Sequence, residues 1–411
     1  MTAPLEGITV VEVGVFMAAP FAAMQLADLG ARVIKVESPD RPDPTRQVGP
    51  MVQGRSSPFL RLNRNKESVA LDFKSPEGRE ALLALVGVAD VFLENLRPGA
   101  LVRAGLGPDD LLARNPRLIY CSASGWGQTG PLAPQPGLDI MAQARSGLMS
   151  ITGEPDGDPV KLGIPVADLS AGLYCTIGIL AALRDRDRTG RGDVLDVSLY
   201  ESAVSLAVWE AGKHFGGARA GGRHGSAHQS QAPYQAMPTR DGYVTFGAIT
   251  PATWEALCRV LGAEDLLADE RYATSQTRFD HRDELIPALE RHTRALGSQE
   301  LLDLLEEAGV PCAPVAELAE VFDSEHLRER EFFWDAESDE LGPQRQLGSP
   351  VNFRRLRTRR DNPGPDLGAD TERVLGTLGL PGRESVRAEA TEDSPPDGIP
   401  EATTSRDGEG A

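Results

Sequence analysis

Among the polar side chains of this chain, Asp168 is the one best placed for covalent chemistry. It lies in Pro165-Val166-Ala167-Asp168-Leu169-Ser170-Ala171-Gly172, directly before the apolar stretch Gly172 to Leu183. That stretch has helical length and ends in a charged run, Arg184 to Arg188, before Gly190. A carboxylate at such a place has two uses. It can cap the helix, since Asp is a favoured N-cap residue that the helix dipole holds ionised. It can also attack an electrophilic carbonyl. Capping is the commoner use, so the surroundings must decide.

No other residue set competes for chemistry. The six histidines, among them His214, His224 and His228, show no H-E-x-x-H or similar spacing, so no metal site is expected. Cys121, Cys175, Cys258 and Cys312 are widely separated, without a C-x-x-C pair, as in a protein with reduced, buried thiols.

The elements that must position Asp168 follow from hydrophobic periodicity. Ile8 to Val13 reads as a strand, Pro20 to Leu29 as a helix closed by Gly30, and Ala31 to Glu37 as a second strand. Further strands are expected at Ser68 to Phe73, Asp90 to Leu93 and Arg117 to Ser122. Between them lie a helix opened by Ser75-Pro76 and running to Val88, and a short one at Asp109 to Arg114. Strands alternating with helices imply an α/β domain with a mostly parallel sheet covered on both faces. Its first turn, Gly14 to Pro20, lacks G-x-G-x-x-G, so NAD is not expected, but a ligand should still lie at the carboxyl ends of the strands.

After Gly212 the character changes. Gly216 to Gly225 must be loop, Thr239-Arg240-Asp241-Gly242-Tyr243-Val244 resembles a hairpin, and amphipathic helices follow at Pro251 to Leu261, with Thr250 as cap, and at Ser298 to Ala308. The expected organisation is a large domain over residues 1–212, a smaller helix-rich α+β domain over 225–330, a return to the first domain over 345–385, and an acidic tail over 387–411. The return includes a last helix, Gly368 to Leu380. The tail carries seven acidic and two basic residues and is rich in Pro, Gly, Ser and Glu, the composition of a disordered solubilising extension.

With 411 residues and a net charge of -19, the chain reads as a globular protein with two cores and no nucleic-acid partner, since phosphate backbones require clustered cations. Its N-terminus lacks the basic and apolar regions of a secretory signal, and the apolar run Leu173 to Leu183 is short of the roughly 20 residues a bilayer crossing needs. A cytoplasmic protein without a membrane partner is expected.

The neighbours of Asp168 resolve its role by resemblance. Upstream are Ser124-Gly125-Trp126-Gly127-Gln128-Thr129-Gly130-Pro131 and Pro136-Gly137-Leu138-Asp139-Ile140-Met141-Ala142-Gln143; downstream are Thr189-Gly190-Arg191-Gly192-Asp193 and Val197-Ser198-Leu199-Tyr200-Glu201. In this order and spacing the chain resembles the family III CoA-transferases, a group that includes formyl-CoA:oxalate and carnitine CoA-transferases and the 2-methylacyl-CoA racemases. The likeness runs from Leu5 to Leu380.

The resemblance implies a Rossmann-like large domain, a small domain, and a homodimer of interlocked subunits in which Gly216 to Gly225 lies near the active site; the glycines of that segment suit either a mobile lid or a plain linker. It implies that Asp168 is the nucleophile, that an acyl-CoA thioester and a carboxylic acid are the substrates, and that no cofactor is permanently bound. Among CoA-binding positions it implies Leu71, Asp72, Phe73 and Lys74, then Asn95 and Arg103, and Leu138 and Asp139 beside the nucleophile. Lys74 and Arg103 suit the phosphates of coenzyme A. In the first loop, Met17 stands where formyl-CoA transferases have Gln, and Ser38 where they have Arg, which weakens oxalate or formate as substrate. Phe16 and Met17 would then bind through backbone and apolar contact. Trp126 is a candidate wall of the acyl pocket.

Two rival functions remain. A racemase of this family pairs its Asp with a His in Gly-His-Asp, but here the segment is Gly137-Leu138-Asp139, and Leu138 cannot transfer a proton. A non-catalytic CoA-ester binding protein would have no use for a carboxylate at position 168.

Overall fold

The computed structural model describes residues 2–217 and 221–380. The acidic tail, residues 381–385 of the return segment, and residues 218–220 of the glycine-rich segment lie outside them.

Six strands form one parallel sheet: β1 (Thr9–Val13), β2 (Arg32–Glu37), β3 (Lys66–Ala70), β4 (Val91–Glu94), β5 (Ile119–Ser124) and β6 (Asp193–Ser198). Their order is β3-β2-β1-β4-β5-β6, with every neighbouring pair parallel. Successive residues of β1 feed opposite faces. Val10 joins Val33, Leu93 and Ile119 on one side, and Val11 joins Ile34, Val69 and Phe92 on the other. Burying each such side chain contributes about 1.5–3 kcal/mol, so both faces must be covered. Helix α1 (Ala18–Asp28) covers the first face and α2 (Pro76–Val88), capped by Ser75, covers the second. Strand β3 ends at Ala70, because the chain after Leu71 turns on the Asp72 side chain, which accepts from Lys74 N at 3.1 Å.

Two further helices matter for the site, α3 (Asp139–Arg145) and α4 (Val166–Thr189). The sequence places the start of α4 near Gly172 and a charged run beyond its end; the helix instead begins at Val166 and absorbs that run. Arg186 explains the extension, since its buried guanidinium pairs with Asp90 at 2.8 Å and draws the last turn onto the sheet. At 24 residues α4 is long and apolar enough to cross a bilayer, contrary to the expectation of a short apolar run. Half of that apolar window is buried here, with Ala171, Cys175 and Ile179 in the first core. Gly172 permits the packing: a Cβ there would lie 2.8 Å from the Ala18 carbonyl oxygen, so only glycine lets α4 approach α1 this closely.

A second, antiparallel sheet contains β7 (Tyr234–Pro238), β8 (Tyr243–Gly247) and β9 (Cys312–Pro314) in the order β9-β8-β7. It has its own core, in which Val244, Phe246 and Met237 meet Trp254 and Leu257 of α5 (Pro251–Leu261) and Leu301 and Leu305 of α6 (Ser298–Glu307). Thr250 caps α5, accepting from Thr253 N at 3.2 Å.

The chain then returns to the parallel sheet. Asn362 O accepts from Asn65 N at 3.0 Å, and Ser68 O from Asp370 N at 2.9 Å. The last described helix, α7 (Thr371–Gly376), is shorter than Gly368 to Leu380 and buries Val374 and Leu375 in the second core.

Candidate active site

The chain leaves β1 toward one edge of the sheet and β4 toward the other, so a crevice opens between their carboxyl ends. A cleft of about 650 Å³ occupies that place. Val15, Phe16 and Met17 after β1, Asn95 after β4, and Ser124 and Gly125 at the end of β5 form its floor. Leu138, Asp139 and Ile140 at the start of α3, with Lys161, Pro165 and Asp168, form its far wall.

The floor is held by buried charge. Lys35 Nζ lies 2.9 Å from Glu12 Oε1 and 3.0 Å from Asp43 Oδ2, and donates to Gly14 O at 2.8 Å. Burial opposes its charge, but Glu12 and Asp43 outweigh burial and hold the Lys35 pKa above that of an ordinary lysine. Lys66 completes the set, 2.7 Å from Glu12 Oε2; with its own charge opposed by burial, its pKa falls to about 8. Asp43 also accepts from Phe16 N at 3.2 Å, and Asn95 accepts from Val15 N at 2.9 Å and donates to Val15 O at 2.8 Å. Phe16 is thereby fixed at φ 57°, a conformation a non-glycine residue adopts only where its surroundings impose it. The result is an exposed phenyl ring on a fixed loop, lining the same cleft as Asp168.

Asp168 is the third residue of α4, not its cap. The N-cap position is Pro165, which offers no side chain to the helix. Capping comes from Asp139 on α3, whose Oδ1 accepts from Ala167 N at 2.8 Å and from Asp168 N at 3.3 Å. Gln143, one turn further along α3 and fully buried, donates to Asp139 Oδ2 at 2.6 Å and accepts from Leu162 N at 2.9 Å. A neighbouring residue therefore supplies the helix cap. Among the described residues, the Asp168 carboxylate accepts no hydrogen bond and forms no ion pair. The expectation that the dipole holds it ionised also fails: burial, and secondarily the negative charge of Asp139, push its pKa up to about 7. A half-buried carboxylate without partners, facing an apolar cleft, has little solvation to lose on attack.

The implied CoA-binding residues divide by place. Phe16, Met17, Asn95, Leu138 and Asp139 line the cleft with Asp168. Leu71, Asp72, Phe73, Lys74 and Arg103 do not. Leu71 is fully buried in the second core, so any contact it makes with a ligand is confined to its backbone, and Phe73 packs part-buried against the same core. Lys74 and Arg103 are exposed beyond the carboxyl ends of β3 and β4, on the side of the sheet where the cleft opens, and neither forms an ion pair among the described residues.

Trp126 is not a pocket wall. Its indole donates to Pro136 O at 3.3 Å and backs the contact between Gly125 and Gly137, where a Cβ on Gly125 would lie 2.8 Å from Gly137 Cα. The two glycines bring the loop after β5 against the start of α3. The described part of the glycine-rich segment packs on residues 153 and 154, through Gly225 N to Gly153 O at 2.9 Å and Arg223 Nε to Glu154 O at 3.1 Å. It contributes nothing to this cleft. Residue types alone gave no signal for Gln143 or Lys161: one is an ordinary helical glutamine, the other a lone lysine in a turn-rich stretch.

The chain matches CoA-transferase family III over residues 5–371. It belongs to that family. This family III CoA-transferase is 38% identical over 373 residues to succinyl-CoA:glutarate CoA-transferase of Mus musculus, a match covering 90% of this chain and 86% of the relative. It is 36% identical over 382 residues to succinate–glutarate CoA-transferase of Agrobacterium fabrum, covering 91% and 96%. The crystal structure of a CAIB/BAIF family protein from Brucella suis superposes with a TM-score of 0.84 at 37% identity, covering 92% of this chain and all of that one. The chain is therefore an enzyme, a transferase of a family that acts on CoA thioesters. Among its described residues no group of three His, Cys, Asp or Glu side chains could hold a metal ion.

Proposed function

We propose that the enzyme moves CoA from an acyl-CoA donor to a carboxylic acid acceptor through an aspartyl-CoA thioester on Asp168. A carboxylate oxygen attacks the thioester carbonyl, the C–S bond breaks, and CoA leaves as thiolate, giving a mixed anhydride. The thiolate attacks the Asp168 carbonyl of that anhydride and releases the donor acid, which leaves the aspartyl-CoA thioester. The acceptor carboxylate repeats the sequence in reverse, so activation is conserved and no proton is gained or lost.

One observation carries this reading: the carboxylate of Asp168 is the group in the cleft that Asp139 relieves of capping, open and unpaired at the crevice of the sheet. The dicarboxylic acids in the names of the relatives support the same class of acid here. Lys74 and Arg103, exposed and unpaired, would meet the phosphates of coenzyme A. The division into a large unit, residues 1–212 with the return at 345–385, and a small one, residues 225–330, is supported by the antiparallel sheet having a core of its own, separate from the two cores that flank the parallel sheet. Racemisation finds no support, because Leu138 lines the cleft where a proton-transferring residue would be needed.

Incubation with an acyl-CoA followed by hydroxylamine or borohydride should modify one carboxylate, Asp168, and the Asp168→Ala protein should lose that adduct while keeping its fold. Asp168→Asn should lower transfer by several orders of magnitude, since an amide cannot form the anhydride. Comparable transfer by the Asn variant ends the assignment.

A further inference from the structure

The cleft walls hold two carboxylates, Asp139 and Asp168, and one cation, Lys161. Every other basic side chain close behind the floor is committed: Lys35 and Lys66 are fully buried in ion pairs with Glu12. Lys161 is different. It is exposed, forms no ion pair among the described residues, and its Nζ meets only the carbonyl of the next residue, Leu162, at 3.0 Å.

The backbone carrying that lysine is tied to the nucleophile. Gln143 accepts from Leu162 N, donates to Asp139, and Asp139 holds the first turn of the helix bearing Asp168. One buried glutamine thus sets the span between the cation and the reacting carboxylate. Resting on the reading of Asp168 as the nucleophile, we propose that Lys161 is a specificity-determining residue that pairs with the distal carboxylate of a dicarboxylic acyl group, while the proximal carboxyl or thioester carbonyl meets Asp168.

The electrostatics require such a group. A dianionic acid entering beside Asp139 and Asp168 meets like charge on the same wall, and an acid with a single carboxylate meets less of it. An unpaired ammonium in an apolar cleft offsets that repulsion for the dianion and does nothing for an alkyl tail. Dicarboxylic acids are therefore favoured by the second charge itself.

Transfer is ping-pong in this reading, so kcat/KM for an acceptor reports on that acid's half-reaction alone. The experiment compares glutarate with pentanoate, acids of equal chain length, in the wild-type enzyme and in Lys161→Met and Lys161→Arg, together with kcat/KM for an acyl-CoA donor whose acyl group carries no carboxylate. Lys161→Met should lower the glutarate-to-pentanoate ratio of kcat/KM by about tenfold or more, Lys161→Arg should largely restore it, and kcat/KM for that donor should stay within about twofold. An unchanged ratio overturns the assignment, as does an equal loss for both acids. A fall in donor kcat/KM with the ratio intact reassigns Lys161 to the phosphates of CoA and equally overturns it. The reading of Asp168 is judged separately, by the hydroxylamine adduct and the Asp168→Asn variant; wild-type enzyme that transfers CoA to neither acid overturns the assignment of Lys161 and leaves that test standing.

Discussion

At the scale of single residues, the raised pKa of Asp168 makes a signed prediction. Its folded value of about 7 lies above the ordinary 3.8, so the folded state binds a proton that the unfolded state has released. Stability must then fall as pH rises from about 4 to about 7 and level off above. Asp168→Asn mimics the neutral form and removes this slope, so at pH 8 the variant should be more stable than wild type by about 1–3 kcal/mol, discounted for the solvent the cleft admits. Denaturant titrations of both proteins at pH 5 and pH 8 check this; equal curves at pH 8 contradict it. The same ionisation should give kcat/KM an ascending limb near pH 7, since only the carboxylate attacks. Glu94, a buried carboxyl also pushed up to about 7 by burial, could mimic such a limb, and the limb should therefore survive Glu94→Gln. Asp168 was legible in the sequence by its context. Its pKa was not, because the cleft in which it is buried is lined by residues remote in sequence, 15–18 and 138–140 among them, and the added repulsion comes from Asp139.

At the scale of elements, the arrangement of α3 against α4 matters most. The strands and the helices α1, α2 and α5 were readable from apolar periodicity and from Ser75 and Thr250 as caps, since those signals are local. The start of α4 was misplaced because its cap comes from Asp139, 28 residues upstream in the backbone hydrogen bond to Ala167, and no window of sequence contains both ends. Gln143 locks that cap, and this can be tested without touching a group that meets substrate. In Gln143→Leu the shape is kept, but Asp139 Oδ2 loses its donor and Leu162 N its acceptor inside the protein, at a cost of about 1–3 kcal/mol. Turnover should fall about tenfold through misplacement of Asp168, with donor KM changed much less, because the loop that carries Phe16 is held independently by Asp43 and Asn95. Steady-state kinetics beside a chemical melt separate the two effects. A destabilised variant with undiminished turnover would show that the cap does not position the nucleophile.

At the scale of the whole molecule, the parallel sheet was foreseeable from alternating strands and helices, whereas its order, and hence the crevice at β1 and β4, required the fold. What a single chain leaves uncovered is as informative. The outer face of α4 exposes Leu173, Tyr174 and Ile177, and Tyr174 bonds Ser205 at 2.8 Å, joining that face to the neighbouring helix Leu199–Ser205. The chain continues into helix Val208–Phe215, which buries none of its residues and leaves Phe215 84% and Val208 74% exposed. Apolar side chains exposed in such number are favoured where a second surface covers them. In the interlocked homodimer that the family resemblance implies, a second copy would cover this face, and α4 would carry part of the interface on its outer side and Asp168 near its start. Light scattering should then give a mass near twice 44.0 kDa. Introducing charge with Ile177→Glu and Val208→Glu should yield monomers with sharply reduced transfer, whereas unmutated protein with the mass of a single chain rejects the dimer. Because Ile177 lies more than two helical turns from Asp168 on α4, loss of activity on dissociation would be carried by the assembly and not by a direct contact with substrate.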